Sequence, residues 1–484
     1  MGQEITSEHF SEEDFLAFRA RLAQETDRLE AWFREKAFSR RGRMAGFELE
    51  AWLIDGQGRP APRNEAFLKA MDDPLVVPEL ARFNVELNGE PQRLEGQALS
   101  RLEADLSATW RRCQQVAGGM DVALFMTGIL PTVRPEDLTL DNMSSLRRYR
   151  ALNEQVLRQR RGMPLRLDIP GREPLRVEHA DVMLESAATS FQIHLKVTQE
   201  ESVRAYNLSQ ILSGPMVALA ANSPFLFGHD LWDETRIPLF EQAVEVGGFG
   251  GAALGPLRRV GFGSGYARDS LLECFRENQE HFPPLLPMHF EEREDLPHLR
   301  LHNGTIWRWN RPLLGFDSDG TPHLRIEHRV VPAGPSIVDA IANLAFYVGA
   351  LRWLLDEVPD AERRLPFSTA RDNFYACARH GLDARVQWWD GEGINVRRLL
   401  LESLIETADA GLQRLGIALT DRQRFIGIVH ARVARHLNGT AWQRDWVERH
   451  GRDWAGLVLA GRHWQASGLP VHEWGPERSV VAEA

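Results

Sequence analysis

Gly46-Phe-Glu-Leu-Glu-Ala-Trp-Leu-Ile54 alternates polar and apolar side chains, and in a strand successive residues face opposite sides. Glu48 and Glu50 therefore share one face, while Phe47, Leu49, Ala51 and Leu53 share the other. Three later segments repeat the design. Phe83 to Asn88 offers Glu86 and Asn88, Ser190 to Val197 offers Gln192 and His194, and His323 to Val331 offers Arg325, Glu327 and Arg329. Any one of these is also what an antiparallel strand with a single solvated face gives. Together they collect carboxylates, an imidazole and guanidinium groups, whereas ordinary wet faces favour Thr, Ser and Lys. Such a set suits divalent cations and the oxygens of a phosphate chain.

Residues two apart on a strand are separated by roughly 6.6 Å, so Glu48 and Glu50 can serve two different Mg2+ ions. Mg2+ keeps several waters and takes one or two protein carboxylates plus phosphate oxygens. Zinc would ask for more nitrogen or sulfur than this set contains. A histidine on a strand can equally be structural, but His194 shares its face with Gln192. Arg329, two residues from Glu327, would place a fixed cation where charge develops on a transferring phosphoryl group. Arg308 and Arg311 can hold substrate carboxylates through bidentate bonds or can lie at the surface. Trp307 and Trp309 alternate with Arg308 and read as core.

The chain has 484 residues, enough for one large domain with appendages or for two or three domains. With 57 basic and 68 acidic side chains its net charge is -11, which opposes binding to nucleic acid or anionic membrane. Cys113, Cys274 and Cys377 have no metal-ligand spacing, and three cysteines suit a reducing compartment, so a cytoplasmic address is expected. The first thirteen residues are acidic and do not read as a signal peptide. The apolar stretches Ile211 to Phe227 and Ile337 to Leu355 are interrupted by polar residues and read as buried helices, not membrane spans.

Ser11 can cap a helix running to about Phe38, expected to cross the back of the sheet. Glu95 to Val116, Arg147 to Arg161 and Val203 to Ala221 have helical periodicity, and Asp121 to Leu130 reads as a strand. The second of these helices is basic, either a solvated face or a rim that attracts an anionic nucleotide. Gly247 to Gly265 holds eight glycines without the spacing of a phosphate-cradling loop, and reads as a mobile loop or lid. Asn303-Gly304 predicts a hairpin between His298–His302 and Thr305–Asn310, and Asp319-Gly320 a second turn. From Ile337 the chain reads as helical, with Gly381 and Gly391 as helix stops. Strands grouped by short turns and followed by helices predict an α+β fold, an antiparallel sheet with helices on one face.

Gly46-Phe-Glu-Leu-Glu, Val85-Glu-Leu-Asn, Ser190-Phe-Gln-Ile-His, Ala221-Asn-Ser-Pro-Phe-Leu-Phe-Gly228, Gly304-Thr-Ile-Trp-Arg-Trp-Asn-Arg-Pro312, Arg325-Ile-Glu-His-Arg329 and Ala378-Arg-His-Gly-Leu-Asp-Ala384 follow one another in a telling order. They resemble the type 2 glutamate-cysteine ligase and carboxylate-amine ligase family, within the glutamine synthetase superfamily. The resemblance implies an antiparallel sheet curled into an open funnel with helices outside it. It implies ATP and two or three Mg2+ ions, with Mn2+ as a substitute, and transfer of the γ-phosphoryl group to a carboxylate, usually the glutamate side chain. An amine, that of cysteine in the named activity, then displaces phosphate to give an amide. By motif, Glu48, Glu50, Glu86, His194 and Glu327 become metal ligands, with Glu79 a further candidate. Glu327 and Arg329 become catalytic groups, and Arg325, Gln192, Arg236, Arg308 and Arg311 contacts to nucleotide or substrate. A catalytic domain over 1–395 and a helical extension over 396–484 are expected, the latter an acceptor lid or an oligomer contact. The partners implied are an amino acid and an amine, with homo-oligomerisation left open. A metal-dependent hydrolase acting without ATP and a catalytically silent binding homologue are the rival readings.

Overall fold

The computed structural model describes residues 9–246, 258–291, 293–389, 391 and 393–475. Eight strands build one antiparallel sheet: β1 (Met44–Ile54), β2 (Val76–Pro78), β3 (Asn84–Asn88), β4 (Gln92–Arg93), β5 (Ala123–Phe125), β6 (Phe191–Val197), β7 (Asn310–Phe316) and β8 (Pro322–His328). Their order is β7-β8-β6-β1-β3-β2, with the short β4 and β5 also paired to β1, and the sheet curls into an open half-barrel. The long alternating segment at 44–54 is thus the hub. Glu48 lies opposite Asn88 and Gln192, and Glu50 opposite Glu86. Glu327 lies opposite both His194 and Arg311. Directly opposed residues face the same side, so the polar groups of five strands meet on the inner surface.

The other surface is apolar. Phe47 stacks on Phe191 with ring centroids 5.3 Å apart, and Leu49, Ile193 and Ile326 are fully buried. The helices Gln199–Ala220 and Ile337–Glu357 cover this face. The first begins at Thr198, whose hydroxyl accepts the N–H of Glu201, and the second at Ser336, which does the same for Asp339. Ile337–Glu357 is the one described helix long and apolar enough to cross a membrane, and most of it is buried within the protein.

The C-terminal helices dock on this second layer. Helix Ile405–Arg414 crosses Ile337–Glu357 so closely that a Cβ on Gly411 would lie 1.8 Å from the Gly349 carbonyl oxygen. Asp339 ties the segment down further, accepting from Arg432 Nη2 at 2.8 Å and from the Val471 N–H at 2.8 Å. Arg432 is fully buried and also donates to Asn343 at 2.6 Å.

Four expectations are corrected. Pro297–Gly304 is a helix, so Asn303-Gly304 ends a helix and turns no hairpin. Proline at its first position suits a helix start, and this outweighs the turn preference of the Asn-Gly pair. The turn at Asp319-Gly320 does join β7 to β8, with Gly320 at φ +83°. The N-terminal helix, Glu12–Glu35, has its Ser11 capping box, but it packs on helices Leu272–His281 and Pro297–Gly304 instead of crossing the sheet. The segment 121–130 contributes only three residues of strand. Gly391 lies between the paired strands Arg385–Gln387 and Gly393–Asn395 and stops no helix, whereas Gly381 does cap Phe367–His380. Most of the glycine-rich segment, 247–257, lies outside the described residues.

Two Gly-to-Ala changes should have opposite signs. Gly411→Ala forces two helices apart and should cost about 3 kcal/mol or more, as severe overpacking does. Gly427, inside helix Leu419–Ala434 with nothing near its would-be Cβ, should gain about 0.5–1 kcal/mol as Ala. An unfolding midpoint that does not fall for Gly411→Ala would contradict the helix contact described, and one that falls for Gly427→Ala would contradict the open space around that position.

Candidate functional site

The inner face of the sheet floors a cavity of about 220 Å³. Two triads of potential ligands stand on it, Glu48-His194-Glu327 and Glu50-Glu79-Glu86, each able to bring one ligand atom per residue within 4.8 Å of the others. In the first, His194 Nε2 lies 3.3 Å from a Glu48 carboxylate oxygen and 3.8 Å from one of Glu327. The imidazole is buried, and neither ring nitrogen has a hydrogen-bond partner among the described residues. A buried imidazole left unsatisfied beside two carboxylates is what a shared cation would complete. In the second triad, Glu50 accepts from the Ser190 N–H at 2.6 Å and from Gln192 Nε2 at 2.9 Å, and Glu86 accepts from Asn88 at 3.0 Å. Glu79 follows β2 directly and turns into the same cavity. These oxygen-rich sets with one imidazole fit Mg2+ or Mn2+.

Arginines complete the first triad. Arg311 grips Glu327 with two bonds of 2.8 and 2.9 Å, and Arg329 Nη1 adds a third at 3.0 Å. Burial alone would raise the Glu327 pKa, but Arg311, then Arg329, reverse this and keep it well below the usual carboxylate range. Arg329 also donates to Gln192, so the chain Glu327-Arg329-Gln192-Glu50 links the triads. Arg325 lines the cavity, and its Nε is buried without a partner among the described residues.

Two arginines assigned from sequence stand elsewhere. Arg236 does not line the cavity; it lies over the Trp309 ring and donates to the carbonyls of Arg329 and Val330 at 3.1 and 2.7 Å. It therefore sets the backbone that carries Arg329. Arg308 is buried against Phe282, donating to Asn278 and Glu277 at 2.5 and 2.6 Å. Its side chain is absorbed because Trp307–Arg308 pairs with Val260–Gly261 in a separate two-stranded sheet. Arg311 lines the cavity, but its fork is taken by Glu327 and not left for a substrate carboxylate.

Sequence reasoning missed Glu185, Tyr149 and Arg300, which also line the cavity. Glu185 sits on the six-residue 3-10 helix Val182–Ala187, too short for a periodic pattern to mark its direction. Arg148 had a signal, since it belongs to the basic helix Arg147–Gln159 and reaches the cavity wall. Around the second triad burial and mutual repulsion dominate. Burial raises Glu50 and Glu79 each to about 7, with Glu86 repelling the former and Glu50 and Glu185 the latter. Burial, then Glu48 and Glu79, push Glu86 well above the ordinary range.

These shifts predict how proton and metal compete. Below pH 7 the metal-free triad keeps its protons, and divalent cations must displace them, so affinity should rise through pH 7 with proton release on binding. Without metal, carboxylates whose folded pKa is raised add stability that is present at acid pH and lost as pH climbs through about 7. Melting temperatures at pH 5.5 and 8 with EDTA or Mg2+ check both: Mg2+ should stabilise more at pH 8. Equal Mg2+ effects at the two values would contradict the triad.

Residues 44–458 match the profile of the Glutamate-cysteine ligase family 2 (GCS2). In a comparison with curated protein sequences, nothing matches. Among solved structures, glutamate–cysteine ligase from Francisella tularensis in complex with AMP is similar at TM-score 0.51 and 11% identity, covering 89% of this chain and 90% of that one. A bifunctional glutathione synthetase from Pasteurella multocida gives 0.47 at 13% identity, over 92% of this chain and 55% of that one. The complex of the ubiquitin-like protein Pup with its ligase PafA gives 0.35 at 11%, over 89% and 70%. The first of these carries the same fold, and the profile match extends past Leu400 into helices whose residues gave no recognisable motif. On that match over most of its length, the chain belongs to the glutamate-cysteine ligase family 2.

Proposed function

We propose that this chain is an ATP-dependent carboxylate-amine ligase that activates the side-chain carboxylate of glutamate and joins it to the amine of cysteine. The observation that carries the reading is the pair of ligand triads on one strand face, joined through Arg329 and Gln192. Glu48, His194 and Glu327 would hold one divalent cation, and Glu50, Glu79 and Glu86 a second. Bound there, Mg2+ or Mn2+ would neutralise phosphate oxygens and orient the triphosphate.

The chain's own groups supply the rest. Arg329 is locked by Glu327 and Gln192, so its charge is preorganised for the negative charge that develops as a carboxylate oxygen attacks the γ-phosphorus and ADP leaves. Arg325, with a donor still unused, suits the phosphate oxygens. Gln192 holds Glu50 in place, and Arg311 holds Glu327. In the second step the amine nitrogen bonds to the acyl carbon and phosphate departs, leaving a γ-glutamyl amide. A hydrolase acting without nucleotide would have no use for the arginines over Glu327, and a silent homologue no use for two complete triads.

Two substitutions test the reading by ADP release and product mass, with glutamate, cysteine, ATP and Mg2+. Glu327→Gln should keep the fold and lose about 100-fold or more in kcat, the scale seen when a preorganised charge is removed. Arg329→Lys should lose a similar factor, because an ammonium cannot span Glu327 and Gln192 as the planar fork does. Near wild-type turnover in either variant, or ADP release indifferent to the amine, would contradict the assignment.

A further inference from the structure

The segment that joins helix Gln199–Ala220 to helix Arg236–Ala243 buries two opposite charges, Glu234 and Arg236, 0% and 2% exposed. Arg236 Nε lies 3.4 Å from a Glu234 oxygen. Desolvating such a pair commonly cancels its attraction, so stability alone is a weak reason for placing it here. What the pair does is hold a backbone. Arg236 Nη2 donates to the carbonyls of both Arg329 and Val330, while the Arg329 N–H donates to the Trp309 carbonyl at 2.9 Å. The guanidinium lies over the ring of that same Trp309, 5.2 Å from its centre. Arg329 is thus gripped at its N–H and at its C=O, and this fixes the direction in which its side chain leaves the end of β8.

Glu234 is held in turn from the C-terminal helices. It accepts the Asn222 N–H at 3.0 Å and the Ser223 hydroxyl, whose oxygen accepts the Arg236 N–H at 3.2 Å. Gln443, on helix Gly439–His450, donates through Nε2 to the Asn222 side-chain oxygen at 2.8 Å and to its carbonyl at 3.2 Å. Asn222 also donates to the Ala333 carbonyl at 2.8 Å, on the segment that follows Arg329. Gln443, Asn222, Glu234 and Arg236, none more than 5% exposed, therefore form one chain of polar contacts that ends on the Arg329 carbonyl. We infer that Arg236 is a positioning residue for phosphoryl transfer, aiming Arg329 through its backbone, and that Gln443 anchors it from the C-terminal extension. The inference rests on the ligase reading above. It gives the extension a part in turnover, although none of its described residues lines the cavity. A misplacement of about 1 Å in a stabilising group can cost about 100-fold in rate, so weakening the chain should slow chemistry and spare substrate binding.

Turnover of wild type, Arg236→Lys and Gln443→Met is measured with glutamate, cysteine, ATP and Mg2+, and both changes are repeated in an Arg329→Lys background. Lysine keeps the charge at 236, but its single nitrogen cannot serve Glu234 and both carbonyls as the guanidinium fork does. Methionine keeps the volume at 443 without the amide. kcat should fall about 10-fold or more in Arg236→Lys and about fivefold in Gln443→Met, with the KM for ATP and glutamate within about twofold of wild type. On top of Arg329→Lys each change should cost less than about twofold, because the group being aimed has gone. Losses that multiply in that background, as general damage to the fold would, overturn the inference; so does an unchanged kcat in either single variant. If Arg236→Lys does not fold, Gln443→Met carries the same comparison. Crystals of the single variants, free of metal and nucleotide, give a reading independent of turnover. The Arg329 guanidinium should move by about 1 Å or lose its bond to Gln192, and one still in its wild-type place would overturn the inference while leaving the ligase reading intact. Wild-type protein that releases no ADP with these substrates would overturn the ligase reading, and the inference with it.

Discussion

The register of β1 between β3 and β6 is the constraint on which the site depends. Because strand side chains alternate, a slip of one residue would send Glu48 and Glu50 into the apolar layer and bring Phe47 and Leu49 into the cavity. The apolar face fixes that register: Phe47 against Phe191, with helices Gln199–Ala220 and Ile337–Glu357 behind, leaves no acceptable place for a carboxylate. The same packing that stabilises the sheet therefore aims its acids inward. The C-terminal helices matter to the site in this indirect way, since they clamp the Ile337–Glu357 helix at Gly349 and at Asp339.

Electrostatic frustration is built into the inner face. The first triad is balanced within the protein, because Arg311 and Arg329 offset Glu327. The second is not, and its carboxylates hold their protons more tightly as a result. A chain selected for stability alone would not gather Glu50, Glu79, Glu86 and Glu185 beside one cavity, since burying like charges destabilises the fold. Divalent cations bound there would relieve the repulsion, which would tie occupancy of the site to the integrity of the sheet around it.

How legible this was depended on period. The four alternating segments revealed the sheet, its polar face and, Glu79 apart, the members of both triads, because period-two patterning states which side chains share a surface. Glu79 was found only through its likeness to a family position, since a three-residue strand carries no periodic signal. That Arg236 and Arg308 lie away from the cavity was illegible for a related reason: an arginine near a motif can serve substrate or support backbone, and spacing along the chain does not distinguish them. Asn303-Gly304 misled because local turn chemistry was overridden by the proline-started helix before it. Glu185 was silent, as its direction comes from a short 3-10 helix and from what packs around it.

The central claim is that two divalent cations sit side by side on this strand face and share a nucleotide's phosphates. Crystals grown with Mn2+ and a non-hydrolysable ATP analogue, examined by anomalous scattering at the manganese edge, address it most directly. The account predicts one peak among Glu48, His194 and Glu327, and a second among Glu50, Glu79 and Glu86, with the phosphate chain beside them and toward Arg325 and Arg329. Nucleotide bound away from this cavity, or manganese bound to neither triad, would contradict it.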